Sequence, residues 1–302
     1  VPAITRLPAF SIIHQLLITI MENTSDVLKM LVQEKYTEIA LQSRAENAAS
    51  CCGIGGSCDI VDPAIMAEAY DNLPGYVADA DLGLGCGLPT QYAQIKEGNT
   101  VVDLGSGAGN DCFVARSVVG ETGKVIGIDM TEVMIEKARH NAEKLGFTNV
   151  EFRLGDIEKM PLSSCVAHVV VSNCVMNLVP DKAKAFAETF RILKPGGHFS
   201  MSDIVLEGDL PEGLRHDAAL YAGCVSGAIQ KTDYLGIIEK TGFDHIRIQQ
   251  EKRITLPDDV LKNYLSADEI ASFKTGKTGI FSITVYAEKP GNGLGLGSEV
   301  CC

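Results

Sequence analysis

The sequence predicts an α/β protein built on a doubly wound parallel sheet, and three observations carry that expectation. First, Val101-Val-Asp-Leu-Gly-Ser-Gly-Ala-Gly109 runs from β-branched residues straight into glycines at 105, 107 and 109, the pattern of a buried strand ending in a tight turn. Second, short apolar runs alternate with segments of helical periodicity from Thr100 to Ser202, which implies a parallel sheet. Third, those runs are nearly continuous rather than alternating, as expected when helices cover both faces of a strand. Ligands of such sheets sit beyond the C-terminal ends of the strands.

Each element follows from local patterning. Residues 1–20 hold a short apolar run, 12–20, broken by His14 and Gln15, with Arg6 ahead of it and no small-residue cleavage site behind. That is a poor signal peptide and too short to span a bilayer, so it reads as a non-native or disordered leader before Met21. Residues 21–99 read as an N-terminal cap with thiol loops. Val27, Leu28, Leu31, Val32, Ile39 and Ala40 recur at helical spacing and predict a helix over 25–49. A loop over 51–58 holds Cys51, Cys52 and Cys58, a helix follows over 63–70, and a second glycine-rich loop over 82–89 centres on Cys86.

Residues 100–203 form the expected core. Strands are predicted over 100–104, 124–128, 150–154, 166–171 and 198–202. Helices are predicted over 111–119, capped by Asn110; over 131–145, capped by Thr131 and stopped by Gly146; and over 181–193, stopped by Pro195-Gly-Gly197. Residues 204–289 should supply a cap and the final strands, with helices over 214–224 and 232–240 and strands over 243–249 and 281–287. Residues 290–302 read as a flexible glycine-rich tail ending in Cys301-Cys302.

Composition narrows the function. Acidic residues outnumber basic ones 39 to 26, for a net charge of −13; such a surface repels a polyanion, so a nucleic-acid partner is not expected. No apolar run reaches the length of a membrane span, so no membrane association is expected. Ten cysteines without a secretory leader read as thiols in a reducing cytoplasm rather than a disulfide framework. Nothing in the sequence demands more than a monomer.

The glycine turn reads G-x-G-x-G, not the G-x-G-x-x-G of dinucleotide sites, and points to a nucleoside cofactor other than NAD. Asp129 closes the second strand about 24 residues after Gly105, where a carboxylate meets ribose hydroxyls. Asp156 closes the third strand and suits an adenine amino group. Among the cysteines, Cys174 follows the fourth strand, Cys86 sits in the loop before the first, and Cys224 lies in the cap; all three can converge over the same strand ends. Soft thiolates select thiophilic centres, and the paired spacing of a zinc site is missing. Cys112 and Cys165 read as structural.

These ordered motifs, Val101–Gly109, Gly127-Ile-Asp-Met130, Gly155-Asp-Ile157 and Leu193-Lys-Pro-Gly-Gly197, resemble those of class I S-adenosylmethionine-dependent methyltransferases. The resemblance implies a Rossmann-like, mostly parallel seven-stranded sheet with an antiparallel last strand. It implies cofactor contacts from Asp103, Gly105, Ser106, Gly107, Gly109, Asp129, Met130, Asp156, Ile157 and Asn173.

The cysteine-bearing segments narrow it further. Ser50-Cys-Cys52, Gly83-Leu-Gly-Cys-Gly-Leu-Pro89, Ser172-Asn-Cys-Val-Met-Asn177, Gly223-Cys-Val225 and the Cys301-Cys302 tail resemble the arsenite S-adenosylmethionine methyltransferases over roughly residues 25–290. The resemblance implies that Cys174 and Cys224 bind arsenic(III), with Cys86 as third ligand or redox partner. It also implies that one of Cys51, Cys52 or Cys58 exchanges with Cys86 as a disulfide. Leu88 stands where the family pattern has asparagine. The implied reaction is methyl transfer to thiolate-bound arsenic, free or thiol-conjugated, in arsenic detoxification, with thioredoxin or glutathione as the thiol reductant. A methyltransferase of a quinone- or sterol-type acceptor, or a metalloid-binding protein without turnover, are the alternative readings.

Overall fold

The computed structural model describes residues 9–42, 70–209, 227–255, 258–262, 265–276 and 278–291. The loop with Cys51, Cys52 and Cys58, most of the expected helices over 63–70 and 214–224, Cys224 itself and the Cys301-Cys302 tail lie outside the described residues.

A seven-stranded sheet organises the chain, in the order β3-β2-β1-β4-β5-β7-β6. The strands are β1 (Thr100–Leu104), β2 (Lys124–Asp129), β3 (Val150–Leu154), β4 (Ala167–Asn173), β5 (Leu193–Glu207), β6 (Asp244–Ile254) and β7 (Gly279–Glu288). The first five pair in parallel, and β7 inserts antiparallel between β5 and β6. This is the sheet that the sequence resemblance implies. The order reverses at β1, so the cleft beyond β1 and β4 is the topological switch point where ligands bind.

Helices α2 (Asn110–Val119), α3 (Glu132–Lys144), α4 (Lys182–Ile192) and α5 (Lys231–Thr241) connect the strands. Buried apolar residues form one cluster on each face of the sheet. Val101, Phe113, Met134, Ile135 and Val169 lie on one side, and Leu104, Phe186, Ile192, Phe199 and Tyr234 on the other. Double coverage explains why β1, β2 and β4 read as unbroken apolar runs.

The structure corrects several sequence expectations. The first helix, α1, runs Ala9–Leu41, so it begins within the expected leader and ends before residue 49. Its apolar positions divide: Ile39 and Ala40 are buried, whereas Val27, Leu28 and Leu31 are 47–56% exposed. Asn110 does not cap α2; Gly109, with φ 98°, occupies the cap position and Asn110 begins the helix. Thr131 occupies the cap position of α3 without a side-chain capping bond, and its amide donates to Asp129 Oδ1.

Pro195-Gly-Gly197 does not separate a helix from a strand. Strand β5 starts at Leu193, and its register against β4 shifts between Ala167 and Val169. The Gly196 amide donates to the Lys289 carbonyl and the Lys289 amide to Gly197. The Pro-Gly-Gly segment is therefore absorbed as a bulge, where glycine tolerates the close backbone approach. The cap also holds helix α6 (Ala267–Thr275), which the sequence reading missed although it carries a full capping box of Ser266 and Glu269.

Candidate active site

The glycine turn and the cysteine loops meet in one cleft of about 1110 Å³, counting its open mouth. Its floor is the turn after β1. The amides of Gly105 and Ser106 both donate to the Ile128 carbonyl, at 2.8 and 2.9 Å, which ties the turn to the end of β2. Gly105 has φ 67°, and a Cβ there would lie 2.4 Å from Val175 Cγ2; only glycine fits this left-handed, closely approached position. The Ser106 hydroxyl and Asn110 Oδ1 line the cleft, buried and without a hydrogen-bond partner among the described residues. Buried polar atoms are rarely left so, and both are suited to a polar ligand.

Asp129 lines the cleft as expected. Its carboxylate accepts from the Gly107 amide at 3.0 Å and the Thr131 amide at 2.8 Å. Burial pushes its carboxyl up, and these backbone bonds resist that shift. Met130, Asp156 and Ile157 line the far end. Asp156 Oδ1 accepts from the Glu158 amide at 2.8 Å, and Oδ2 from Lys29 Nζ at 2.7 Å. Asp103 is buried beneath the turn and accepts from Cys112 Sγ at 3.3 Å. Burial, and then the charge of Asp111, raise its carboxyl well above the usual range.

At the other end of the cleft, the loop over 82–89 lies on the end of β4. Asn173, the last residue of β4, fastens it: its Oδ1 accepts from the Cys86 amide at 3.0 Å and its Nδ2 donates to the Gly87 carbonyl at 2.8 Å. Its amide also meets the Tyr70 hydroxyl, which donates to Asp111 Oδ2 at 2.8 Å and lies 3.2 Å from the Gly87 carbonyl. A Cβ on Gly85 would lie 2.7 Å from Asn173 Nδ2, so the loop passes too close for any other residue. Asn173 thus joins the thiol loop to the strand end as well as lining the cleft. Burial pushes the Asp111 carboxyl up to about 6, against hydrogen bonds from Tyr70, Asn173 and Thr90.

The sequence reading takes Cys86 and Cys174 as thiols; in this structure the two are joined as a disulfide, with Cα atoms 5.8 Å apart. Two loops that are separate in sequence deliver their sulfurs to one point, and in the bonded state neither sulfur is a metalloid ligand. The expected exchange of Cys86 with Cys51, Cys52 or Cys58 involves residues outside the described set. Cys86 and Cys174 are 2% and 4% exposed and pack with Ile204, Ile254, Leu261, Ile270, Phe273 and Ile280. This apolar wall comes from the expected cap and final strands over 204–289. Cys174 holds φ 60°, uncommon for a residue with a Cβ and typical of strained functional positions. Its amide donates to the Ser202 carbonyl at 2.7 Å. Leu88 packs on Tyr70 and Val114, an apolar contact in place of the asparagine of the family pattern.

Tyr70, Asp111, Thr90 and Lys29 belong to the site but went unmarked in the sequence. Asp111 is the one with a readable signal, an acid in the first turn of the helix after a glycine turn. Cys112 is buried and unbonded to other cysteines.

A methyltransferase domain family matches residues 95–242. The arsenite methyltransferase of Halobacterium salinarum is 39% identical over 272 residues, which are 86% of this chain and 66% of that protein. The arsenite methyltransferase of Aquipseudomonas alcaligenes is 33% identical over 241 residues, 78% of this chain and 67% of that protein. The chain therefore spans about two thirds of the length of these relatives. The crystal structure of an arsenic(III) S-adenosylmethionine methyltransferase from Chlamydomonas reinhardtii superposes with a TM-score of 0.58 at 35% identity, covering 69% of this chain and 68% of that one.

Proposed function

The chain belongs to the arsenite methyltransferase family, and from that membership we propose that it transfers the methyl group of S-adenosylmethionine to arsenic(III) held by its own cysteines. The observation that carries the proposal is the meeting of Cys86 and Cys174 at the strand end beside the glycine-turn cleft.

The cleft fits the cofactor. Close backbone approach at Gly105 and Gly107, the unpartnered Ser106 and Asn110 side chains, and the Asp129 carboxylate suit its amino-acid and ribose parts; Met130, Asp156 and Ile157 suit its adenine. When bound, S-adenosylmethionine supplies an electrophilic methyl group on a sulfonium.

Thiol chemistry at the other end prepares the acceptor. Two reductant thiols, from thioredoxin or glutathione, open the Cys86–Cys174 bond by exchange, leave as a disulfide, and deliver two electrons and two protons. Arsenous acid then exchanges its three hydroxyls for three cysteine sulfurs, the thiol protons leaving with the hydroxyls as three waters. Cys86 and Cys174 supply two of the sulfurs, and Cys224 is the third. The Gly223-Cys-Val225 segment, which resembles that of the family, supports Cys224 as the third ligand. Three sulfurs leave the arsenic lone pair free to attack, so the chain needs no general base. Its residues hold the acceptor and exclude water through the apolar wall around the thiols. Methylation oxidises arsenic formally by two electrons. Rejoining Cys86 and Cys174 returns those electrons and regenerates the bonded state. The need for free thiols between turnovers favours a reducing compartment, and the product chemistry fits detoxification. Among the described residues, no helix is long and apolar enough to cross a membrane.

The test is turnover of the full chain with arsenite, S-adenosylmethionine and a dithiol, compared with Cys174→Ser. Methylated arsenic should form with the unaltered chain and fall by about 10²-fold or more in the variant, since a lost ligand leaves the acceptor unformed. Equal turnover by Cys174→Ser would move the acceptor site elsewhere, as for an organic acceptor.

A further inference from the structure

Helix α1 lies outside residues 95–242, the matched methyltransferase domain, yet one of its faces forms a wall of the cleft. Lys29, Val32 and Tyr36 are spaced on one side of the helix and all line it. Opposite them stand Asp129, Met130, Asp156 and Ile157, the adenosine end.

The way the helix is held is uneven. Near its C-terminus, Ile39 and Ala40 pack into the core cluster that includes Met134, Ile135 and Ala138 of α3, and Lys137 Nζ donates to the Ala40 carbonyl at 3.1 Å. Further back, Val27, Leu28 and Leu31 face solvent, and the attachment is polar. Lys29 Nζ lies 2.7 Å from both Asp156 Oδ2 and Glu158 Oε2, and Gln33 Nε2 donates to the Met130 carbonyl at 3.0 Å. One ammonium therefore serves two carboxylates contributed from beyond β3. The side chains of Lys29 and Glu158 are only 22% and 8% exposed, so this pair is shielded from water more than an ordinary surface ion pair. Glu158 is anchored in turn by the Asp181 amide, which donates to its Oε1 at 3.0 Å.

We propose that Lys29 is a cofactor-site positioning residue supplied from outside the methyltransferase domain: through Asp156 and Glu158 it fastens α1 across the adenosine end, and the cofactor product leaves when this latch opens. The packed end at Ile39 and Ala40 is the fixed end, and the polar stretch over 29–33 is the part that lifts. Lys29 uses one lone pair of Asp156 Oδ2, and a carboxylate oxygen has a second, so the closed latch and an adenine amino group share Asp156 rather than compete for it. The proposal rests on the reading of this cleft as the S-adenosylmethionine site.

Release of S-adenosylhomocysteine from the full chain, followed by stopped flow, tests it. Raising NaCl from about 50 mM to about 500 mM should speed release from the unaltered chain, because opening the latch separates these charges into solvent, where added salt stabilises them. Lys29→Met should release the product about tenfold faster and lose that salt response, while Lys29→Arg keeps slow release through the same two carboxylates. Glu158→Gln, which removes one carboxylate and leaves Lys29 in place, should fall between. Release from Lys29→Met at the unaltered rate, or with the unaltered salt response, would overturn the latch. Should Lys29→Met fail to fold, a salt-insensitive release rate in the unaltered chain overturns it equally. Failure of the unaltered chain to bind S-adenosylhomocysteine at all would instead overturn the cofactor-site reading.

Discussion

Asn173 shows how one side chain can join two halves of a site. Its amide satisfies the Cys86 amide and the Gly87 carbonyl of one loop while meeting Tyr70, which bonds Asp111 on α2. Replacing it with alanine strands a buried amide and carbonyl, each costing about 1–3 kcal/mol. Asn173→Ala should therefore lower unfolding free energy by about 2 kcal/mol or more in urea melts, and the reduced variant should re-form the Cys86–Cys174 bond more slowly on oxidation. The family resemblance implies a cofactor contact for Asn173, but its bonds to a loop 87 residues away depend on tertiary approach that no local pattern records. The same holds for the disulfide: the convergence of Cys86 and Cys174 was legible from strand order, whereas their bonded state was not. Asp203, buried in β5, accepts from the Tyr234 hydroxyl at 2.7 Å. Burial pushes its carboxyl up from 3.8 to about 7, against the Tyr234 bond and the Lys182 charge. In the folded chain it holds its proton more tightly than in the unfolded chain. Its contribution is therefore complete below about pH 3.8 and is lost as pH rises to about 7, on the order of 4 kcal/mol over that span. Asp203→Asn keeps an acceptor for Tyr234 and should flatten this part of the stability–pH curve, measured by denaturant melts across pH 4–8.

At the level of elements, the sheet was legible because burial on both faces writes itself as β-branched runs, as in Val101-Val102 and Val169-Val170-Val171. What escaped were places where a neighbour overrides a local signal. Pro195-Gly-Gly197 looks like a stop, but Lys289, just beyond β7, is its backbone partner and turns it into a bulge. The Lys289 ammonium, 4% exposed, also donates to the carbonyls of Phe190 and Leu193 at 2.8 Å, closing the C-terminal end of α4. Helix α1 misled in the opposite sense: its apolar spacing is genuine, yet Val27, Leu28 and Leu31 stay exposed. Helix α6 was written plainly in its capping box and was simply passed over. Ser266 accepts from the Glu269 amide at 3.4 Å, and Glu269 Oε2 accepts from the Ser266 amide at 2.8 Å. Ser266→Ala should cost about 1 kcal/mol, read from a thermal melt. Because α6 places Ile270 and Phe273 in the wall around the two thiols, the loss should be accompanied by faster reaction of reduced Cys86 and Cys174 with a thiol reagent.

The whole molecule divides its work along the C-terminal edge of the sheet. The turn after β1, with the ends of β2 and β3, suits the methyl donor, and the end of β4 with the loop over 82–89 suits the acceptor. Helix α1 stands over the first and the apolar cap over the second. The bonded and open states of Cys86 and Cys174 are the two ends of the proposed cycle, so electrons and methyl groups should be conserved together. The most direct measurement is a single turnover. The chain is reduced, freed of reductant, loaded with arsenite and mixed with methyl-labelled S-adenosylmethionine. Label should pass to an arsenic-bound methyl group while Cys86 and Cys174 leave arsenic and rejoin as a disulfide. Label that stays on S-adenosylmethionine, although the chain binds both it and arsenite, would contradict the account.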